Sequence, residues 1–204
     1  DVYSIPMIVL VGWRGEPGVK DEPQHMKQGM VHEKILNAIG ASNSIISGDS
    51  TNIPEIIDLG IKTSIRNQSP FFLSVKKGTF DKYDNKVEIK NTNEMTRENA
   101  LEIILEKIPD GAIVISTTGK TSREIFELRK KNTEFHDKDF LTVGSMGHCS
   151  SIALGIAISK PKRNIVCIDG DGALIMHMGS LATIGQLYPA NFYHILINNY
   201  VHES

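Results

Sequence analysis

Apolar and polar positions follow two different periods along this chain, and the switches between them mark out its elements. Short, nearly unbroken apolar runs occupy 5–11, 45–46, 71–75, 112–116, 141–143, 165–168 and 192–197. Runs of that length, with β-branched residues and few charges, predict strands buried on both faces. Between them, apolar residues recur every three or four positions. A helix is predicted over 31–39 from Ile35, Leu36 and Ile39, and a second over 52–66 with Pro54 in its first turn. Thr96 is a plausible N-cap for a helix running to 108, apolar at Ala100, Leu101, Ile104 and Ile108. Further helices are predicted over 123–131, 150–158 and 174–187. The stretch 76–95 is polar, rich in Asn, Asp and Lys, and has no sustained apolar period, so it is the expected linker. Strand alternating with helix on either side of it predicts an α/β protein built on doubly wound parallel sheets.

Charge and composition narrow the function. The 204 residues carry a formal charge of −2 with both signs interspersed, which gives no basic face for nucleic acid. No stretch approaches the ~20 apolar residues of a membrane span, and no secretory signal opens the chain. Cys149 and Cys167 are too few for a disulfide framework and lie among apolar neighbours, which suits buried, reduced thiols in a cytoplasmic protein. A strand begins almost at Asp1, and no helix follows the strand ending at 197, so both ends look cut.

The most informative chemistry lies where the sixth apolar run ends. It runs into Asp169-Gly170-Asp171-Gly172, and after 25 further residues the next run ends in Asn198-Asn199. Gly170 and Gly172 let backbone approach a phosphate with no side chain between. The helix that follows would aim free N–H groups at that anion. Asp171 would repel a phosphate, so its presence makes sense with a cation between them. Mg²⁺ takes hard oxygen ligands from one or two carboxylates and from phosphates, and Asn199 can add an amide oxygen from the neighbouring strand. A glycine turn with an acidic N-cap is the plain alternative, but it leaves the paired Asn without a reason. Neither a Walker-type loop nor a GxGxxG turn is present.

This spacing resembles the thiamine-diphosphate signature of the decarboxylase and synthase superfamily. The resemblance implies that Asp171, Asn199 and the Val201 carbonyl ligate Mg²⁺ and that Gly170 and Ala173 line the diphosphate. Gly144-Ser145-Met146-Gly147 resembles the segment that holds the cofactor bent. There the Gly144 carbonyl would accept from the aminopyrimidine, and Met146 would wedge beneath the ring junction. The turn containing Thr117, Thr118 and Gly119 stands third among the cofactor loops by position. Residues 12–18, 21–25, 118–124 and 144–148 are similar, more narrowly, to phosphonopyruvate decarboxylases and, less closely, to sulfopyruvate decarboxylases. On that resemblance, 1–75 is the C-terminal part of a pyrimidine-binding domain. Residues 96–204 are a diphosphate-binding domain lacking its C-terminal end, and both domains are incomplete.

The reaction implied is non-oxidative decarboxylation of a small anionic 2-oxo acid, 3-phosphonopyruvate, to phosphonoacetaldehyde and CO₂, a step in phosphonate biosynthesis. Sulfopyruvate decarboxylase and a non-catalytic cofactor-binding subunit are the alternatives. Family sites form between subunits, which implies a homo-oligomer. The family's catalytic glutamate has no counterpart here, so residues 1–204 alone are expected to be inactive. A second anion on the substrate calls for cations. Arg14 can grip a phosphonate bidentately, and His25 in the same loop can donate a proton near neutral pH. Arg14 could instead pair with Glu16 or Asp21. His148 opens a helix beside the cofactor turn, either facing substrate or packing against the helix start.

Overall fold

The computed structural model describes residues 2–83 and 95–199. The chain divides into two compact units, 1–89 and 90–204. Among the described residues, no helix is long and apolar enough to cross a membrane.

The first unit is a three-stranded parallel sheet in the order β1-β3-β2, built from β1 (Met7–Gly12), β2 (Ser42–Ile46) and β3 (Pro70–Val75). Helices α1 (Pro23–Ala38) and α2 (Ile53–Asn67) connect them. Alternation along β3 sends Phe71 and Leu73 to one face and Ser74 to the other. Gly60 of α2 lies so close to Phe71 that an added Cβ would stand 2.9 Å from its ring. His32 of α1 meets Ser74 Oγ at 2.7 Å. The two helices therefore cover opposite faces, as right-handed crossovers require when successive connections reverse direction.

Helix α1 starts eight residues before the 31–39 expected from its apolar pattern. Its first two turns are mostly polar, with only Met26 and Met30 apolar and both exposed, so the pattern gave too little to show them. Pro23 in the first turn and tight glycine packing set the true start. A Cβ on Gly29 would stand 1.8 Å from the Gly15 carbonyl oxygen, so only glycine lets α1 touch the loop after β1.

The second unit has four parallel strands in the order β5-β4-β6-β7: β4 (Ile113–Ser116), β5 (Asp139–Leu141), β6 (Ile165–Gly170) and β7 (Phe192–Ile197). Helices α3 (Arg97–Lys107) and α4 (Lys120–Lys131) cover one face. There Leu101 and Ile125 pack on Val114, Val166 and Ile168, all essentially inaccessible. Helix α5 (Cys149–Ser159) covers the other, laying Cys149, Ala153 and Ala157 on Ile115, Ile165 and Cys167. Small residues at i, i+4 and i+8 bring α5 close to the sheet. Thr96 caps α3 as expected, accepting from the Asn99 N–H.

Two expectations shift here. Strand β5 lies at 139–141 rather than 141–143, with Asp139 opposite Val114 and Leu141 opposite Ser116. It starts on a carboxylate whose side chain is only 1 % exposed, which Arg129 holds through two 3.2 Å hydrogen bonds; an apolar pattern cannot reveal such a position. The helix expected over 174–187 is two, α6 (Asp171–Met176) and α7 (Ser180–Leu187), broken at 177–179. There His177 turns onto the His148 ring, 4.0 Å between centroids.

Candidate cofactor-binding and active site

Strand order fixes where ligands can gather. From β4 the chain runs outward through α4 to β5, then returns past β4 to β6 and continues to β7. The connections leaving β4 and β6 thus diverge, and a crevice opens between their carboxyl ends, the usual ligand position in open α/β sheets. A cleft of about 290 Å³ lies there.

One wall is the acidic glycine turn. Gly170, Asp171, Gly172 and Ala173 line the cleft, with Asn199 from the end of β7. Strand β6 pairs with β7 throughout, Gly170 opposite Ile197, so the turn and the amides meet as their spacing implied. Asp171 Oδ1 accepts from its neighbour Gly172 N–H at 2.8 Å. An added Cβ on Gly170 would touch only Thr117 Cγ2, at 3.8 Å. The protein would tolerate a side chain there; it is the cleft that would lose space.

The facing wall is the turn after β4: Thr117, Thr118, Gly119 and the first turn of α4. The Ser122 hydroxyl donates to the Thr117 carbonyl at 2.6 Å and anchors the helix start. Thr117 is 4 % exposed, yet its hydroxyl is the one buried side-chain polar atom without a hydrogen-bond partner among the described residues. Buried polar atoms are rarely left so. This turn stood only third among the cofactor loops by position; Lys120, Arg123 and Arg97, which also line the cleft, were not singled out from the sequence.

The turn at 144–147 joins the two walls. Gly144, at φ +77°, donates its N–H to Thr118 Oγ1 at 2.9 Å, and Met146 reaches the cleft. Ser145 (φ 48°) and Gly147 (φ 90°) complete a tight turn. A Cβ on Gly147 would stand 2.8 Å from His177 Cδ2 and 2.9 Å from the Ala173 carbonyl oxygen, so this turn docks directly on α6. Gly144, Ser145 and His148 do not line the cleft. His148 stands at the N-cap position of α5, exposed, with Nδ1 3.1 Å from the Ser145 carbonyl oxygen and its ring against His177. Val201 lies outside the described residues.

Arg14 and His25 stand together in the first unit, both bound to Asp21. Arg14 donates two hydrogen bonds to that carboxylate, at 2.9 and 2.8 Å, and His25 Nδ1 lies 3.0 Å from it. The Arg14 pair, then His25 and two backbone N–H groups hold the Asp21 carboxyl far below its ordinary range. Of the two partners considered for Arg14, the structure selects Asp21; Glu16 pairs with Lys76 at 2.7 Å. The Arg14 side chain stays 63 % exposed and borders a cavity of about 350 Å³ with Trp13 and Lys76.

Beneath the acidic turn lies a polar network that the sequence did not announce. Asp169 is fully buried, and His194 Nε2 lies 3.3 Å from it. Burial opposes ionisation of Asp169, but hydrogen bonds from His194, Cys149 and the Gly170 N–H keep its carboxyl below the ordinary range. The Asp169 pair, and after it a hydrogen bond to Cys167, raise His194 to about 9. Cys149 and Cys167 are both free and buried, 3.7 Å between sulfurs. Their hydrogen bond and their burial push the Cys149 thiol up. His194 had no partner pattern in the sequence because Asp169 is 25 residues away and meets it only through β6–β7 pairing.

Residues 117–204 match the family described as thiamine pyrophosphate enzyme, C-terminal TPP binding domain. Over 98% of its length the chain is 33% identical to a phosphonopyruvate decarboxylase of Streptomyces hygroscopicus, covering 52% of that protein. It is 34% identical to one of Streptomyces viridochromogenes, covering 53%. A sulfopyruvate decarboxylase subunit beta of Methanococcus maripaludis is 38% identical across 54% of the chain and 56% of its own length. The chain thus spans about half the length of the relatives it matches.

Proposed function

We propose that this chain forms the diphosphate-binding half, and part of the pyrimidine-binding half, of a decarboxylase that uses thiamine diphosphate and Mg²⁺. Its substrate is 3-phosphonopyruvate, converted to phosphonoacetaldehyde and CO₂. The observation that carries the reading is the switch-point cleft itself. A glycine-flanked turn, its carboxylate with an amide from the neighbouring strand, and an unsatisfied buried hydroxyl line it. An anion alone would be repelled by Asp171, and a cation alone would leave the Thr117 hydroxyl without an acceptor. A metal-bound diphosphate suits both.

In this reading Asp171 and Asn199 hold the cation, with the Val201 carbonyl as third ligand. Gly170, Gly172 and Ala173 offer backbone to the diphosphate, and Thr117 donates its hydroxyl. Thr118 fixes the 144–147 turn through the Gly144 N–H, which holds Met146 at the cleft, and the Gly144 carbonyl would accept from the aminopyrimidine. When bound, thiamine diphosphate supplies the electron sink for the pair released with CO₂. Ile197 and Met146 line the cleft and would present apolar side chains that exclude water from a bound cofactor. Arg14, His25 and His148 remain candidates for contact with substrate, Arg14 and His25 as the Asp21-linked group. The active form is a cytoplasmic homo-oligomer whose sites are completed by a pyrimidine-binding domain of another subunit. The 76–95 segment links the two domains.

Sulfopyruvate is the second reading, favoured by the 38% identity to a sulfopyruvate decarboxylase subunit beta. The test uses the full-length protein with thiamine diphosphate and Mg²⁺ and compares initial CO₂ release from phosphonopyruvate, sulfopyruvate and pyruvate. Preference for phosphonopyruvate is expected, and Asp171→Asn should abolish it by removing metal-dependent cofactor binding. Turnover of sulfopyruvate instead would sink the substrate assignment. Cofactor binding without any CO₂ release would make the chain part of a non-catalytic subunit.

A further inference from the structure

The polar network beneath the acidic turn has no part in holding the cofactor, and each of its four side chains is a metal ligand by type. Cys167 and Asp169 stand two residues apart on β6, so strand alternation sends both to the face that α5 covers. His194 is the register partner of Cys167 on β7 and shares that face. Cys149, the first residue of α5, packs onto it from the helix layer. Three elements thus bring two thiols, a carboxylate and an imidazole together, and Cys149, Cys167 and Asp169 are buried there.

The distances fit a four-ligand ion. In a tetrahedron with bonds of about 2.3 Å to sulfur, two thiolates stand about 3.8 Å apart; the Cys149 and Cys167 sulfurs are 3.7 Å apart. With bonds of about 2.0–2.1 Å to nitrogen and oxygen, the corresponding edge is about 3.3–3.4 Å; His194 Nε2 is 3.3 Å from Asp169 Oδ2. The ligand atoms of the two cysteines and Asp169 all lie within 4.8 Å of one another. His194, whose side chain is 16 % exposed, is the outermost member and gives an ion its way in. Asp169 Oδ1 accepts from the Gly170 N–H at 2.9 Å, which orients the carboxylate and leaves Oδ2 for the ion. Without an ion the four side chains satisfy one another by hydrogen bonds, but a thiol is a weak donor to so deeply buried a carboxylate.

We propose that Cys149, Cys167, Asp169 and His194 form a closed tetrahedral site for a thiophilic divalent ion, Zn²⁺, which clamps α5 and β7 onto β6. Thiolate sulfur with imidazole nitrogen in a tetrahedron suits Zn²⁺, whereas the oxygen ligands offered by Asp171 and Asn199 suit Mg²⁺. Four protein ligands leave no position for a substrate, so the ion is structural. It braces the end of the strand that carries Gly170 and Asp171. Nothing in this site depends on the decarboxylase reading.

The test uses full-length protein produced in medium with Co²⁺ in place of Zn²⁺, because Co²⁺ accepts the same ligands and reports them in its spectrum. One cobalt per chain is expected, with thiolate-to-cobalt charge transfer in the near ultraviolet and the intense visible bands of a tetrahedral ion. Excess Mg²⁺ should displace none of it. Cys149→Ala and Cys167→Ala should each lose most of the bound cobalt, while Asp171→Asn should keep the spectrum unchanged. Zinc-loaded wild type should melt at least about 5 °C above chelator-treated protein. Absence of the charge-transfer band in wild type overturns the site, with no variant required to fold. So does cobalt that Mg²⁺ displaces, a spectrum lost in Asp171→Asn, or one that survives unchanged in both cysteine variants. A melting temperature that zinc does not move overturns the clamp.

Discussion

Replacing Thr117 by valine should stabilise the ligand-free protein and weaken its hold on the cofactor. The side chain is 4 % exposed and its hydroxyl has no partner. A buried polar group left unpaired costs about 1–3 kcal/mol, and valine keeps the β-branched shape without that cost. Part of the gain is lost if the valine methyl fits less well, so about 1–2 kcal/mol is expected. For a domain of this size that raises the melting temperature by roughly 3–10 °C. With cofactor present the sign reverses. A hydrogen bond to a charged oxygen is worth about 1.5–3 kcal/mol, so the dissociation constant should rise about 10- to 150-fold. Melting curves with and without thiamine diphosphate and Mg²⁺, joined to calorimetric titration, measure both effects on one variant. The reasoning fails if Thr117→Val melts below wild type without ligand, because the hydroxyl would then be contributing to the fold. It fails equally if cofactor affinity is untouched.

Gly147→Ala should cost at least about 1 kcal/mol, because φ is +90° and the new methyl would press on His177 and on the Ala173 carbonyl; a melting temperature equal to wild type would show that the turn can relax away from α6. His194 gives a pH dependence of definite sign. Its folded-state value is about 9 against an ordinary 6.5, so its contribution is full below pH 6.5 and is lost as pH rises through 9. Denaturant unfolding of metal-free wild type and His194→Gln between pH 6 and 10 should show their difference falling by about 1–2 kcal/mol, the full shift being reduced by solvent screening of a partly exposed ring, and a difference that stays flat would mean that Asp169 and Cys167 do not hold the ring charged.

Most strands were legible because each is an apolar run; β2 opens on Ser42-Asn43-Ser44, so only its last two residues were expected, and β5 opens on a charge. That charge, Asp139, is buried against Arg129, ten residues earlier in the chain. The start of α1 was hidden for a related reason. Its first turns are fixed by contact between Gly29 and Gly15 rather than by any apolar face. The break between α6 and α7 also answers to a tertiary contact, His177 on His148.

The sequence by itself determined the two α/β units and one half of the site. Gly170, Asp171 and Gly172 are contiguous, and a glycine or a carboxylate declares its chemistry wherever it stands. Asn199 could be added because strand, helix and strand have standard lengths. Tertiary structure decided what faces that half. The order β5-β4-β6-β7 places the turn after β4 across the cleft from the turn after β6, about fifty residues apart in the chain. Only that adjacency brings Thr117, Lys120 and Arg123 to the cleft, and only strand pairing sets His194 against Asp169. Local pattern records which face of an element is apolar. It does not record which element lies beside it, because that depends on the free energy of the whole packed sheet.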